Sequence, residues 1–250
     1  MSIEKAQALV LRKRDFRETS LIVDFYTFES GKVSGLLKGF RTDEGKFASN
    51  LEVFSLNEIV FYRKNSSLHL VSQADKLQNF TGIRQNIEKT VQASFMMELL
   101  ACVMQPEDKN EDVYSLAVNC LKELETNYNP SKIATIFKIK MLALSGFKPH
   151  FDSCIGCSSK IMTQSKFSMT HGGLLCANCC HKDSSSRSIF RGTIATILHI
   201  EKNDFRSSLN LGMNPEIKKE LDVILNSFLN FHLGKELKSQ KIINKLAVAV

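Results

Sequence analysis

The sequence lacks any apolar run that approaches the roughly 18 residues needed to cross a membrane. Its N-terminus, Met1-Ser2-Ile3-Glu4-Lys5, also lacks the pattern of a signal peptide. These two absences predict a protein of the reducing cytosol without a membrane partner. In that compartment seven cysteines favour metal binding over disulfides, and the odd number argues against a closed disulfide framework.

Signatures of common catalytic sites are missing as well. The sequence contains no glycine-rich phosphate loop and no nucleophile elbow. A zinc deaminase would need His-x-Glu ahead of a Pro-Cys-x-x-Cys motif. Here the His-x-Glu at 199–201 follows both Cys-x-x-Cys pairs, and neither pair has a proline at the position directly before it. The deaminase is therefore set aside, and the sequence predicts no hydrolase or transferase activity.

The most specific motif present is a double Cys-x-x-Cys knuckle, Cys154-Ile-Gly-Cys157 and Cys176-Ala-Asn-Cys179, with eighteen residues between the pairs. This spacing is typical of a zinc ribbon, because each tight turn lets two thiolates reach one ion about 2.3 Å from each sulfur. Four thiolates leave no open coordination position, which predicts one structural Zn²⁺ per chain. Two alternatives remain: Cys180 as the fourth ligand in place of Cys179, and free thiols or a redox pair.

The first 80 residues read as short strands without a crossover helix. Five strands in about 75 residues predict a small barrel such as an OB-fold. Alternation along the third strand places Lys32 and Lys38 on the same face. The predicted strands cover residues 6–12, 19–27, 32–38, 51–62 and 67–74.

After residue 78 the apolar period changes to that of helices. One helix is predicted near 190–202, and Asn214 with Pro215 predicts the start of another. The predicted fold class is therefore α+β. It comprises an N-terminal five-stranded OB-fold barrel (1–79) and a helical domain (80–250) carrying an inserted four-cysteine zinc module (150–183).

The charge of the chain, +7 in total, is unevenly distributed. Residues 128–200 carry nine Lys or Arg and two Asp or Glu, whereas residues 81–127 carry four and eight. The basic excess surrounds the cysteines and would suit a polyanion, although a solvated surface explains it equally well. The acid-rich segment would face solvent or a basic partner.

Four stretches of the chain together resemble the RecO family of bacterial recombination mediators. They follow one another in the family's order from one end of the sequence to the other, and this chain keeps the cysteine pairs that some members lack. The stretches are 8–12 with Phe16, Glu18 and Thr19; 25–27 with 31–39 and Arg41; the cysteine pairs with 172–176; and 231–239.

This resemblance implies a DNA repair and recombination mediator that binds single- and double-stranded DNA and anneals complementary strands. With RecR, such a protein helps to load RecA onto DNA covered by single-stranded DNA-binding protein, whose C-terminal tail is a further partner. RecA would thus be an indirect partner. The resemblance also implies an OB-fold, a helical domain and a zinc module. The expected localisation is cytoplasmic and nucleoid-associated.

The candidate DNA-binding residues lie around the first three strands. OB barrels bind strands through a charged groove with aromatic stacking platforms. Lys38 and Arg41 fall within the matching Lys-Gly-x-Arg stretch, and Phe16, Tyr26 and Phe40 are interleaved with the basic residues. The predicted set is Arg12, Arg14, Lys32, Lys38 and Arg41; Lys13, Arg17 and Lys46 are also nearby.

Other readings remain open at the level of the sequence. The DNA site could instead use the basic region 128–200, which includes Lys138 and Lys140. The chain could also be a zinc-ribbon module that serves a transcription or ribosome factor through protein contacts. A metalloenzyme with an open zinc site would need a non-cysteine fourth position and a nearby general base, and no convincing base is present.

Overall fold

The structure is a computed structural model that describes residues 2–42, 47, 51–126, 129–161 and 164–248, so Lys46 lies outside the described residues. The chain divides into two compact units. Unit 1 comprises Met1–Pro130 with Ile242–Val250, and unit 2 comprises Ser131–Lys241. The domain boundary predicted between residues 79 and 80 stays a prediction.

Unit 1 begins with a closed five-stranded barrel in the order β1-β2-β3-β5-β4. Neighbouring strands are antiparallel except β3 and β5, which pair in parallel from Ser34–Leu68 to Leu36–Leu70. The barrel and the helices that follow confirm the predicted fold class. The strands are β1 (Ile3–Phe16), β2 (Ser20–Thr27), β3 (Gly31–Leu37), β4 (Leu56–Tyr62) and β5 (Leu68–Gln78).

Alternation of side chains fills the barrel interior. Along β3 every second residue is buried, so that Val33 and Leu37 point into the core while Lys32 lies on the outer face. Gly35 also faces inward, where a Cβ atom would lie 2.4 Å from Val71 Cγ2. The interior therefore has room only for glycine at this position.

The first strand is longer than the sequence predicts. Its register with β2 shifts between Val10 and Arg12, which is a β-bulge. The strand pairs with β4 from Ile3 to Leu9 and with β2 from Ala8 onward, so that from Arg12 it pairs with β2 alone. Residues 12–17, here called the basic ribbon, therefore project beyond β4 and are exposed except for Phe16, which is half-buried.

Three helices complete the main part of unit 1. Two of them begin at asparagine side chains: Asn86 Oδ1 accepts from Lys89 N at 3.0 Å, and Asn110 Oδ1 accepts from Val113 N at 3.0 Å. The helix of residues 87–103 is apolar on most of its surface and largely buried. The helices are α1 (Thr81–Arg84), α2 (Ile87–Val103) and α3 (Glu111–Thr126).

Unit 2 combines helices with a small sheet in the order β7-β6-β8. Phe167 of this sheet stacks on Phe151 at 5.1 Å between ring centroids and meets the edge of Phe228 at 5.9 Å. The remaining elements of the chain are α4 (Pro130–Leu144), β6 (Ser165–Ser168), β7 (Gly173–Cys176), β8 (Arg187–Ile189), α5 (Arg191–Lys202), α6 (Phe205–Asn210), α7 (Pro215–Leu233) and α8 (Lys238–Val248).

The longest helix of unit 2, α7, begins at the predicted residues and ends at a glycine. Asn214 Oδ1 accepts from Ile217 N at 2.8 Å, Pro215 is the first helical residue, and Gly234 ends the helix with φ +65°. Among the helices of the described residues, none is both long and apolar enough to cross a membrane.

Candidate metal centre and nucleic-acid interface

The two predicted knuckles meet in unit 2. The Sγ atoms of Cys154, Cys157, Cys176 and Cys179 all lie within 4.8 Å of one another. Four sulfurs arranged as a tetrahedron about 2.3 Å from one ion would be about 3.8 Å apart. Cys157 Sγ and Cys176 Sγ are separated by 3.8 Å, so this donor set fits a zinc ion in both chemistry and spacing.

Backbone turns bring the thiols together. Cys154 N donates to Ser159 O at 2.9 Å, and Cys176 N donates to Cys154 Sγ at 3.3 Å, which ties the first knuckle to the end of β7. Gly156 is needed for this approach, because a Cβ there would lie 3.3 Å from Cys179 Sγ. The glycine therefore lets the second knuckle close over the first.

The thiols differ in their electrostatic surroundings. Hydrogen bonds from Ser159 lower the pKa of exposed Cys157 to about 6. Burial raises the pKa of Cys179 to about 12. A metal ligand must be a thiolate. The surroundings therefore favour the thiolate at exposed Cys157 and oppose it at buried Cys179.

The nearby alternative ligands are engaged elsewhere. Cys180 is not a member of the cluster, and its Sγ donates to Ala177 O at 3.0 Å. His171 lies beside Ser168, with 3.0 Å between Nδ1 and Oγ. The arrangement of the described residues thus favours Cys179 over Cys180 as the fourth ligand.

A serine, a histidine and an aspartate also meet beside the cluster. Ser168 is fully buried, and its hydroxyl donates to Asp183 Oδ2 at 2.5 Å. In a serine hydrolase the hydroxyl proton must pass to the histidine, and the oxygen must reach the substrate. Here the proton is directed to the carboxylate instead, so this trio holds the β6–β7 hairpin and has no nucleophile.

On the barrel of unit 1, the predicted basic residues gather mainly at one end. A cavity of about 390 Å³ lies there, between the basic ribbon and the loop that follows β3. Lys13, which was not in the predicted set, contributes to its lining. The lining residues are Lys13, Arg14, Asp15, Leu21, Phe40 and Arg41.

Most of the predicted residues in this region face solvent. Arg14 and Lys38 are exposed, and two others make exposed ion pairs. Arg12 Nη2 lies 2.8 Å from Asp24 Oδ2, and Arg41 Nη2 lies 2.5 Å from Asp15 Oδ1. Exposed ion pairs contribute little to stability. These guanidinium groups can therefore exchange their carboxylates for phosphates.

Lys32 is placed differently from the rest of the set. Its Nζ donates to Ala101 O at 2.8 Å and to Met104 O, two carbonyls at the C-terminal end of α2. Burial lowers the pKa of this lysine. The ammonium thus satisfies helix-terminal carbonyls that would otherwise lack a partner.

A loop that contains Glu107 and Asp108, here called the acidic loop, covers the N-terminal end of β3. Glu107 N donates to Lys32 O at 2.9 Å, and Tyr26 Oη donates to Asp108 O at 3.3 Å. Glu107 also forms an ion pair with Arg63. The N-terminal end of β3, at Lys32, is therefore covered by the protein's own acidic loop. The accessible basic surface lies at the other end of the strand, towards Lys38.

The competing basic region supplies two lysines that are internal to unit 2. Lys138 is 3% exposed and donates from Nζ to Asn226 Oδ1 at 2.5 Å. Lys140 Nζ donates to Ile200 O at 2.8 Å and to Asn203 O at 2.6 Å. Both lysines connect α4 to other segments of the unit, so neither is presented to a polyanion.

Two family models together match most of the chain. Residues 1–80 match the family model described as Recombination protein O N terminal, and residues 84–241 match the one described as Recombination protein O C terminal. The chain belongs to the RecO family. The resemblance found in the sequence is thereby confirmed across the barrel, the helices and the cysteine cluster.

Individual RecO relatives align along nearly the whole chain. The DNA repair protein RecO of Caldicellulosiruptor saccharolyticus is 29% identical over 238 residues, covering 95% of this chain and 96% of the relative. The protein of the same name from Shouchella clausii is 27% identical over 247 residues, covering 98% and 95%. That of Desulfatibacillum aliphaticivorans is 29% identical over 248 residues, covering 96% and 95%.

Proposed function

We propose that this RecO-family chain binds single- and double-stranded DNA and anneals complementary strands in DNA repair and recombination. The observation that carries the proposal is the exposed basic end of the barrel. Lysine and arginine contacts to phosphates release counterions and depend little on sequence. The residues proposed to make these contacts are Arg12, Lys13, Arg14, Lys38 and Arg41; Lys32 is not included because its ammonium is bound to α2.

Aromatic rings accompany the basic side chains. Phe40 lines the cavity beside Arg14 and Arg41. At the tip of the ribbon, the Arg17 guanidinium lies 5.2 Å from the centroid of the Phe16 ring. Proteins that bind single strands combine basic grooves with such rings, on which unpaired bases stack. The barrel end therefore offers both elements of a single-strand site.

Annealing by this route requires no bond breaking. Two strands repel each other through their phosphates, and a basic surface that neutralises both lets the bases pair. We therefore propose a mediator that is not an enzyme and that anneals strands without a nucleoside triphosphate. Pairing of complementary oligonucleotides by the pure protein, followed with and without ATP, tests this point; an absolute ATP requirement would contradict it.

We further propose that the four clustered cysteines hold one structural Zn²⁺. The ion would cross-link the loop before β6 to the end of β7, and this contribution is to folding. Four thiolates would leave it no site for water or substrate. Cys154, Cys157, Cys176 and Cys179 are the proposed ligands.

Family membership supports a set of partners that the geometry alone does not identify. We propose that the chain acts with RecR and binds the C-terminal tail of single-stranded DNA-binding protein, and that it thereby helps RecA to load. Such a role places it in the cytoplasm, associated with the nucleoid. Competition between oligonucleotides and a synthetic tail peptide in the annealing reaction tests the second contact.

The decisive experiment for DNA binding is a salt titration of the double variant Lys38→Ala, Arg41→Ala. Its log affinity against log salt should have a shallower slope, by up to about one unit for each lost phosphate contact. The loss should be similar for unrelated sequences, with folding little changed.

The matched control is Lys5→Ala with Lys109→Ala, which removes two exposed, ion-paired lysines elsewhere in unit 1. It should keep the wild-type slope. Equal slopes in all three proteins would move the DNA site off the barrel end. If the wild-type chain bound no oligonucleotide even at low salt, the protein-contact role of a zinc ribbon would replace the proposal.

A further inference from the structure

A second cavity lies entirely within unit 2, beside the cysteine cluster. Its volume is about 340 Å³, within the range of pockets that hold small ligands. The walls are mostly apolar and come from the ends of β6, β7 and β8 and from the residue that precedes α5. Leu175 and Ile189 supply the apolar floor, and Cys176, a member of the cluster, lies at one side.

One polar group in this cavity lacks a partner. Ser165 is 5% exposed, and its Oγ makes no hydrogen bond with any of the described residues. Buried hydroxyl groups are almost always paired in folded proteins. A ligand atom that reached this hydroxyl from the cavity would supply the missing partner.

Further hydrogen-bonding groups stand beside this hydroxyl. The amide of Gln164 and the carboxylate of Glu220 line the same cavity. Glu220 Oε2 already accepts from Phe190 N at 3.0 Å, which fixes the carboxylate at the start of α5. A ligand with both donors and acceptors on one flat edge would satisfy all three side chains.

An exposed aromatic ring stands at the same cavity. Phe190 is 59% exposed although it is a large apolar residue, and it precedes α5 without capping the helix through its side chain. Its ring thus presents a free face to a planar ligand. Stacking of this kind is how proteins hold single unpaired bases.

One cation lines the cavity. Lys166 stands in the lining opposite the acidic Glu220, and Arg187 belongs to the adjoining strand β8 without lining the cavity; neither basic residue makes an ion pair in the described structure. Unit 2 as a whole carries sixteen Lys or Arg and eight Asp or Glu. The surroundings therefore suit the phosphates of a nucleic-acid strand.

We infer that this cavity binds one unpaired nucleobase of a single strand. The base stacks on Phe190 and presents its hydrogen-bonding edge to Ser165 and Glu220, while a flanking phosphate contacts Lys166. The inference rests on the proposed DNA binding and adds to it a contact in unit 2. Because a paired base is stacked within its duplex, this contact selects single strands.

The test uses the full chain with two single-stranded oligonucleotides of equal length. One contains the fluorescent base 2-aminopurine, and the other has abasic sites at the central positions. Wild type should bind the first more tightly, and Phe190→Ala and Ser165→Ala should each reduce this preference by at least about fivefold, as expected for the loss of one stacked or hydrogen-bonded base. The fluorescence change of 2-aminopurine should shrink in parallel.

Phe231→Ala is the matched control, because Phe231 is 55% exposed in the same unit but does not line the cavity. It should keep the preference for the base-containing strand. Ser165→Ala should be at least as stable as wild type in denaturant unfolding, since it removes an unpaired buried hydroxyl. Its loss of binding could then not be ascribed to unfolding.

Two results would overturn the inference: an unchanged preference in Phe190→Ala and Ser165→Ala, or an equal loss in the Phe231→Ala control. Either result would leave the proposed function standing as long as wild type binds DNA and Lys38→Ala, Arg41→Ala lowers the salt slope. Absence of DNA binding by wild type would remove both.

Discussion

At the scale of single residues, the structure separates basic side chains that face solvent from those used inside the protein. Arg14 and Lys38 are exposed, whereas Lys32 and Lys138 donate to groups of their own units. Net charge alone therefore overstates the number of cations available to a polyanion. Which cations are exposed decides where DNA can bind.

The cysteine cluster gives a prediction at this scale. Cys157→Ser removes one of four clustered thiols, so we expect loss of bound zinc and a lower free energy of unfolding, because a structural metal contributes directly to folding. Metal analysis of the purified protein, together with denaturant unfolding, measures both effects.

The neighbouring cysteine provides the control. Cys180→Ser leaves all four clustered thiols in place and should retain full zinc content and stability. Full occupancy in Cys179→Ser together with loss in Cys180→Ser would shift the fourth ligand by one residue. Wild-type protein without zinc would remove the metal site altogether.

How far single residues could be predicted depends on how local their contacts are. The knuckle spacing predicted which cysteines converge, because each pair lies in one tight turn. Alternation predicted that Lys32 lies on the outer face of β3. It could not predict the contact of Lys32 with the end of α2, because Ala101 is 69 residues away along the chain. The orphan Ser165 left no signal in the sequence, because its isolation is a property of packing.

At the scale of elements, β3 and the acidic loop that covers it are closely fitted. Gly31 has φ +65°, and a Cβ there would lie 2.3 Å from Asp108 O. Both the backbone conformation and the close approach require glycine. The loop before α3 thus depends on one residue of the barrel for its position.

This fit predicts a large effect of Gly31→Ala on stability. The methyl group would have to displace the backbone of the loop, and we expect a loss of about 1–3 kcal/mol beyond the cost of the left-handed conformation, as for an overpacked core. Denaturant unfolding measures the difference. Gly39→Ala is the comparison, because Gly39 has φ +70° but the nearest described atom, Thr42 Oγ1, would be 3.4 Å from the new Cβ. Equal losses in the two variants would contradict the proposed clash.

A second link between elements is an ion pair between β1 and the residue that follows the neighbouring strand β4. Arg63 Nε donates to Glu4 Oε1 at 2.6 Å, joining the segment after β4 to β1. Hydrogen bonds from Arg63 lower the pKa of Glu4 from its ordinary value of 4.5. A carboxyl group with a lowered pKa stabilises the fold at pH values above its ordinary pKa, and this stabilisation is lost as the pH falls through the folded pKa.

The corresponding prediction concerns Glu4→Gln. The variant should be less stable than wild type at neutral pH, and the difference in unfolding free energy should shrink as the pH falls below 4.5. Chemical denaturation at a series of pH values measures it. A difference that stays constant down to pH 3 would show that the Glu4 charge does not stabilise the barrel.

At the scale of the whole molecule, charge is divided unequally between the two units. Unit 1 carries seventeen Lys or Arg and eighteen Asp or Glu, whereas unit 2 carries sixteen and eight. The basic end of the barrel is therefore a local feature of a nearly neutral unit. DNA binding by unit 1 should therefore depend on a few residues, whereas the net positive charge of unit 2 adds a general attraction for phosphates to its proposed base contact.

The overall organisation was predicted in part. The change of apolar period near residue 78 marked the end of the strands, and β5 ends at Gln78. Periodicity could not show that α1, α2 and α3 form one compact unit with the barrel, because that grouping depends on contacts such as Tyr26 to Asp108, which are distant in sequence. The bulge that creates the basic ribbon was likewise invisible, since both sides of it have strand-like composition.

The way unit 1 is assembled has a consequence for synthesis on the ribosome. Its segment from Ile242 is made only after all of unit 2, residues Ser131–Lys241, has been translated. At about 5–20 residues per second, this interval lasts roughly 6–22 seconds. During that time the barrel has emerged but its unit is incomplete, so the nascent chain must wait for its own last helix before its first unit is finished.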